Sequence, residues 1–208
     1  MPSNYKGKRW TVETESSFSF DFTSKCHPDL ENIDWKSATG VQKSSGGSQG
    51  VYFVATPAGS LVVKGAMGVA PELFGQRMAE SIGLNCPKCR VVTRETSEGQ
   101  LIYNSLCTLD AKQPINRTVH SNLARRYIMV MEYLQSTPLG SFTSDKFDAV
   151  FGPSYSVSTK GEALLFQIGR VCGLDIFIHN TDRLPIVVEN RGNLGNLMIV
   201  ETGQLYII

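Results

Sequence analysis

From Trp35 onward the hydrophobic positions come in short runs bounded by turn residues. Val51–Ala55 and Leu61–Val63 are β-branched or aromatic, with SSGGSQG before the first and TPAG between them. This reads as strand, glycine-rich turn, strand, tight turn, strand. The spacing then changes. Phe74, Met78 and Ile82 recur every four residues, which predicts a helix. Pro71 suits its first position, Glu72 its positive end and Gly83 its stop. KCRVVTR and QLIYNSL read as further strands, Lys112–Arg126 as a polar helix or loop, and Tyr127–Tyr133 as a strongly apolar strand. Upstream, SFSFDF (Ser17–Phe22) alternates as a half-buried strand does.

Near Gln135 the character shifts to a stretch rich in Ser, Gly and Pro, placed as a lobe boundary. GEALLFQIGRVCGLDIFIHN follows, with Leu164, Leu165, Ile168 and Val171 expected on one buried helical face. GNLGNLMIVETGQLYII reads as two short strands around a Glu-Thr-Gly turn, with Asn196 heading the first. The expected class is α+β. Residues 1–34 form an N-terminal extension, 35–134 a β-rich part with one main helix, and 135–208 a mainly helical part.

Composition narrows the function classes. With 41% hydrophobic and 19% charged residues the chain is an ordinary globular sequence, not a disordered one. A net charge of +1 and scattered Lys and Arg argue against nucleic acid as a partner. No apolar stretch approaches the roughly 20 residues of a membrane helix, and the N-terminus lacks a secretory pattern, so a soluble cytoplasmic protein is expected. Five cysteines do not suggest a disulfide framework there. Cys86 and Cys89 form C-x-x-C, but no second ligand pair accompanies them, so buried or loop thiols without metal are expected. The sequon at Asn116 carries no meaning without a signal peptide.

Phosphoryl transfer relies on positioning and charge neutralisation, and the chain offers parts for both. At the hairpin tip Gly46, Gly47, Ser48 and Gly50 would let backbone N–H groups approach phosphate oxygens, although a plain flexible turn explains the same residues. Lys64 ends an apolar strand, where it would reach phosphates or merely snorkel. Glu72 is the expected ion-pair partner of Lys64, with Glu80 the less favoured one. Met131 would back an apolar slot for a purine, with backbone groups of Glu132–Leu134 at its edge. In IHNTDRLP the carboxylate of Asp182 follows a helix and a short apolar run, as a kinase catalytic-loop Asp does, and Asn196 is placed to hold magnesium. Protein kinases set these two in one short loop, H-R-D-x-x-x-x-N. Here fourteen positions separate them, which excludes an ordinary protein kinase by motif but not a relative with a longer loop.

The segments GVYFV, LVVKG, PELFGQRMAESIGLNCP, YIMVMEYL, GLDIFIHNTDRLP and GNLGNLMIV, in this order from about Trp35, resemble the actin-fragmin kinase catalytic domain. NTDR also resembles the corresponding element of phosphatidylinositol 4-kinases. The resemblance implies a bilobal protein-kinase-like fold, ATP and Mg2+ as cofactors, and transfer to a protein Ser/Thr hydroxyl, an actin threonine in the name-bearing member. It further implies Lys64 on the ATP phosphates, Glu72 supporting it, Glu132 and Leu134 on adenine, Asp182 as base, Arg183 as the neighbour holding its loop, and Asn196 on the metal.

One departure changes the expectation. Kinases of this superfamily carry a second metal-binding Asp after the closing hairpin, and here GQLYII ends at Ile208. The sequence is therefore expected to be a fragment or a degenerate relative. A catalytically inactive nucleotide-binding or actin-interaction module remains the second reading. A lipid kinase of the phosphatidylinositol 4-kinase type is the third, weakened by the near-neutral charge.

Overall fold

Alternating apolar positions become sheet. Strands β1 (Gly40–Lys43), β2 (Val51–Thr56) and β3 (Gly59–Ala66) form an antiparallel meander. Helix α1 (Ala70–Ser81), strand β4 (Cys89–Thr93), helices α2 (Ser97–Ala111) and α3 (Val119–Leu123) and strand β5 (Tyr127–Glu132) follow. The five strands lie in the order β1-β2-β3-β5-β4, every pair antiparallel. These features come from a computed structural model that describes residues 26–44, 50–112, 119–153, 156–184 and 192–208. The expected strand Ser17–Phe22 and the tip residues Gly46, Gly47 and Ser48 lie outside the described residues.

One face of this sheet carries a core of Trp35, Tyr52, Leu61, Ile128 and their neighbours, closed over by Ile102 and Leu106 of α2 and Val119 and Leu123 of α3. The closure is tight. A Cβ at Gly65 would sit 1.9 Å from the Asn122 carbonyl oxygen, so only glycine lets α3 come this close. Residues 26–34, assigned by sequence to the extension, pack here too. Leu30 and Ile33 touch the core, and the His27 N–H donates to the Ser60 carbonyl at 2.9 Å.

QLIYNSL is a correction: it is helix, the middle of α2, not strand. Thr96 caps the helix by accepting from the Gly99 N–H at 3.2 Å, and Glu98 occupies the first turn. Gly99, Ile102, Leu106 and Asp110 are buried at helical spacing, and that periodicity outweighs the β-propensity of Ile-Tyr.

Past Gln135 the chain forms β6 (Ser136–Pro138), α4 (Ser144–Phe151), α5 (Thr159–Phe177), β7 (Leu197–Val200) and β8 (Leu205–Ile207). Strands β6-β7-β8 make a second antiparallel sheet. A second core joins Leu164, Val171 and Leu174 of α5 to Phe151, Leu197, Leu205 and Ile207. Leu165 departs from the expected face, being 46% exposed, because it sits a helical step of about 100° from Leu164. Phe74 of α1 is likewise exposed, and the stripe that α1 buries is Met78, Ala79 and Ile82.

The end of α1 is built as its sequence implies. Gly83 has φ +69°, the Leu84 N–H donates to the Ala79 carbonyl and the Gly83 N–H to that of Glu80, both at 2.9 Å. This paired arrangement satisfies the last carbonyls and buries Leu84 in the second core. Among the described residues no helix is long and apolar enough to cross a membrane.

Candidate active site

Side chains alternate along a strand, so the face of the five-stranded sheet turned away from the first core is known by register. Tyr52, Val54, Leu61, Val63, Ile128 and Val130 face that core. The opposite face carries Val51 and Phe53 of β2, Val62 and Lys64 of β3, and Met129 and Met131 of β5. Val62 pairs with Met131, and Lys64 lies between Val51 and Met129. Lys64 is the one charged group in this apolar set. Tyr133, just past β5, closes on Phe53 with ring centroids 5.8 Å apart at 90°.

Lys64 Nζ donates to both carboxylate oxygens of Glu72, at 2.9 and 3.0 Å. Glu80 is engaged elsewhere, accepting from Gln76 and from Arg77. A partly exposed pair of this kind stabilises a fold by about 0–1 kcal/mol at most, so its main consequence is the placement of the ammonium group.

At the end of β5 the expected adenine partners divide. The Glu132 N–H donates to the Lys88 carbonyl at 2.9 Å, and its carboxylate accepts from the Lys88 N–H at 3.1 Å and from the Cys26 thiol. Alternation turns the Glu132 side chain toward the side of the first core, and the Lys88 carbonyl takes up its N–H. Leu134 lies beyond the strand, its carbonyl accepting from the Ser136 hydroxyl at 3.1 Å.

Asp182 and Asn196, fourteen positions apart in sequence, meet: Asn196 Nδ2 donates to Asp182 Oδ2 at 3.3 Å. Asn196 closes a short helical turn before β7, and Asn193 Nδ2 donates to its Oδ1 at 3.1 Å. The Asp182 carboxylate is exposed, as a group that must meet a substrate has to be. Arg183 is buried and pairs with Asp175. Asp175, at the end of α5, is a residue that sequence reasoning passed over. Its burial raises its carboxyl above the ordinary value, against the opposing pull of Arg183 and Asn180. The available signal was a lone carboxylate inside the apolar run GLDIFI.

Two stitches tie these parts together. Helix α1, which carries Glu72, buries Ala79 in the core beneath β7 and β8. Asn85, just after α1, accepts from the Ile207 N–H at 3.0 Å and donates to the Leu205 carbonyl at 3.0 Å. Of the glycine set only Gly50 is described; its φ is +69°, and a Cβ there would collide with the Asn122 amide. The C-x-x-C thiols face ordinary protein. Cys89 donates to Gln76 Oε1 at 2.7 Å, and burial, with Glu80 nearby, pushes the Cys86 thiol up to about 11.

As ligands for magnesium, the Asp182 carboxylate and the Asn196 amide oxygen are hard oxygen donors, the kind that ion takes; here Asn196 turns its Nδ2 to Asp182 and its Oδ1 to Asn193, so the oxygen would have to leave Asn193 to take the ion. They fit in kind.

Comparison with known proteins gives the same family as the motifs. A family model described as "Actin-fragmin kinase, catalytic" matches residues 13–205. A candidate actin-fragmin kinase of Dictyostelium discoideum is 25% identical over 174 residues, covering 79% of this chain and 39% of that protein. The dual specificity protein phosphatase PHS1 of Arabidopsis thaliana is 26% identical over 228 residues, 94% of this chain and 23% of that protein. A second Dictyostelium discoideum candidate actin-fragmin kinase is 18% identical, covering 82% of this chain and 49% of that protein. The chain thus spans less than half the length of each of these relatives. With nearly its whole length matched, the chain belongs to the actin-fragmin kinase catalytic domain family, a family of kinase-type phosphotransferases.

Proposed function

We propose that this chain is the ATP-binding and catalytic part of a bilobal protein kinase-like phosphotransferase, transferring the γ-phosphoryl group of ATP to a protein Ser or Thr hydroxyl. The observation that carries this reading is the meeting of Asp182 with Asn196 across fourteen positions, next to a family match over nearly the whole chain. The Lys64–Glu72 pair on an apolar sheet face supports it independently.

In this reading the purine lies against Val51, Val62 and Met131, with the backbone of Leu134 at its edge. Gly46, Gly47, Ser48 and Gly50 cover the phosphates with N–H groups. Lys64, held by Glu72, takes part of the phosphate charge. Asp182 accepts the proton of the acceptor hydroxyl as its oxygen bonds to the γ-phosphorus, the bond to the β-phosphate oxygen breaks, and ADP leaves. Asn196, beside Asp182, would hold magnesium, which when bound neutralises charge developing on the phosphates. Arg183 does not touch the reacting atoms; it holds the Asp182 loop. Actin, alone or with a severing protein, is the first protein substrate to test, in the cytoplasm where it resides.

The phosphatase name of one relative is not carried over. Cysteine-based phosphate hydrolysis needs a thiolate, and burial raises the pKa of all five thiols here. The deciding experiment offers γ-labelled ATP, magnesium and actin to the full-length protein and to its Asp182→Asn variant. Transfer by the native protein, with loss in the variant and ATP affinity retained, supports the reading. ATP binding without transfer to any protein hydroxyl makes the chain a nucleotide-binding module, and transfer only to a phosphoinositide makes it a lipid kinase. Undiminished transfer in the variant removes Asp182 from its role.

A further inference from the structure

We propose that Asp175 is the positioning residue that fixes the orientation of the Asp182 carboxylate, an inference that rests on the reading of Asp182 given above. Asp175 is 1% exposed, and its Oδ1 accepts from both the Arg183 guanidinium and Asn180 Nδ2, the latter at 3.0 Å. These two partners stand on either side of Asp182 in sequence, and each opens an arm that leads back to it.

The short arm runs through Asn180. Its N–H donates to the Asp175 carbonyl at 2.8 Å, and its Oδ1 accepts the Asp182 N–H at 3.2 Å. The long arm runs through Arg183. Its Nη2 donates to the Ile208 carbonyl at 3.4 Å, the Ile208 N–H donates to the Asn196 carbonyl at 3.1 Å, and the Asn196 amide donates to Asp182 Oδ2 at 3.3 Å. The two arms close a ring, with the buried carboxylate of Asp175 at one pole and the exposed carboxylate of Asp182 at the other.

Stability alone does not account for this arrangement. Asp175 Oδ2 and Arg183 Nε are buried with no partner among the described residues. A buried ion pair left part-satisfied is often no better for stability than apolar residues of similar volume. His179 has φ +54°, the left-handed turn that ends α5: its N–H donates to the Ile176 carbonyl at 3.3 Å and the Asn180 N–H to that of Asp175, so the helix end itself fixes where the loop begins. A ring of hydrogen bonds that leaves buried polar atoms unsatisfied while holding one exposed carboxylate is an orienting device.

The test uses Asp175→Asn in the full-length protein, a change that keeps the volume and an acceptor for Asn180 but discharges the partner of Arg183. Phosphoryl transfer should fall roughly 10- to 100-fold in kcat, the scale of a small misplacement of a reacting group, with the KM for ATP little changed. A merely structural role would lower the melting temperature without this split. The second readout needs no activity: the side-chain amide signal of Asn196 in an NMR spectrum, assigned by its loss in Asn196→Ala. It should move toward the position of a solvated amide in Asp175→Asn. Should that variant fail to fold, Arg183→Lys keeps a cation for Asp175 but shortens the long arm, and the same movement is expected. An unmoved Asn196 signal overturns the proposal whatever the rate does. If the native protein transfers no phosphoryl group, the assignment of Asp182 as base fails separately, and the Asn196 signal still decides whether Asp175 holds the ring.

Discussion

The two cores of this molecule are finished differently. The first, on one face of the five-stranded sheet, is covered by α2, α3 and the segment around Trp35, and its members Trp35, Tyr52, Leu61, Ile102 and Leu106 are essentially inaccessible. The second buries one side of α5 against β7 and β8, and nothing among the described residues covers the other, with Phe166 70% and Phe177 72% exposed. The chemistry divides along the same line. Lys64 projects from the sheet whose other face is sealed, so packing sets its strand and one ion pair completes the placement. Asp182 stands on a loop and Asn196 on a short helical turn beside the less covered core, where side-chain hydrogen bonds and a buried charge supply the rigidity that packing does not. A lysine that needs only to neutralise charge tolerates the first solution, whereas a base that must point at one hydroxyl needs the second.

The sharpest way to break this contrast is to open the sealed core. Leu106→Ala removes a fully buried side chain between α2 and the sheet, and should cost about 2–5 kcal/mol of unfolding free energy in a denaturant titration. A loss below about 1 kcal/mol would mean that the site collapses easily, and the first core would not be the rigid part. Gly65→Ala probes the same closure from the sheet side. The added methyl meets the Asn122 backbone, which cannot swing aside as a side chain would, so α3 must shift, at about 1–3 kcal/mol. Unchanged stability there would show that α3 is loosely docked.

The same contrast governs what the sequence made legible. The strands of the first sheet, α1 and α5 could be read because each buries a regular stripe between turn or cap residues. QLIYNSL misled because Ile102 and Tyr103 favour strands locally, while the deciding facts, the Thr96 cap and the fit of Ile102 and Leu106 onto a distant sheet, are tertiary. At the site, Lys64, Glu72, Asp182 and Asn196 were visible as residue types at suggestive places in the chain. Asp175 was not, since a helix-end aspartate in an apolar run declares its role only once Arg183 and Asn180 fold back on it. Nor did the pattern show that strand pairing consumes the Glu132 N–H, because that depends on which partner flanks β5 on that side.

A smaller effect tests how the rim of the sealed core is tied. Glu98 accepts from Arg90 and from the Trp35 indole, and the Arg90 hydrogen bonds hold its carboxyl below the usual glutamate value of 4.5. In that range the native state binds fewer protons than the unfolded chain, so stability rises with pH. The contribution is fully present above about 4.5 and is lost as pH falls through the lowered native value. Glu98→Gln should flatten the dependence of melting temperature on pH across this window. A slope identical to that of the native chain would show that Arg90 and Glu98 do not pair in solution.

The smallest effect is expected on the bare side of the second core. Phe166 lies on the outer face of α5, beside Gly169 and Gly173, positions where an added Cβ meets nothing within 4 Å. Phe166→Ser therefore removes few contacts and opens no cavity, and stability should stay within about 0.5 kcal/mol of the native value. Binding of a hydrophobic dye should fall, since an exposed apolar patch is what such a dye reports. Phe177→Ser should behave alike, about three helical turns further along the same surface. If either change instead destabilised the chain as much as Leu106→Ala, that side of α5 would be packed in solution. The second core would then be as sealed as the first, and hydrogen bonding would no longer be needed to explain why Asp182 is held still.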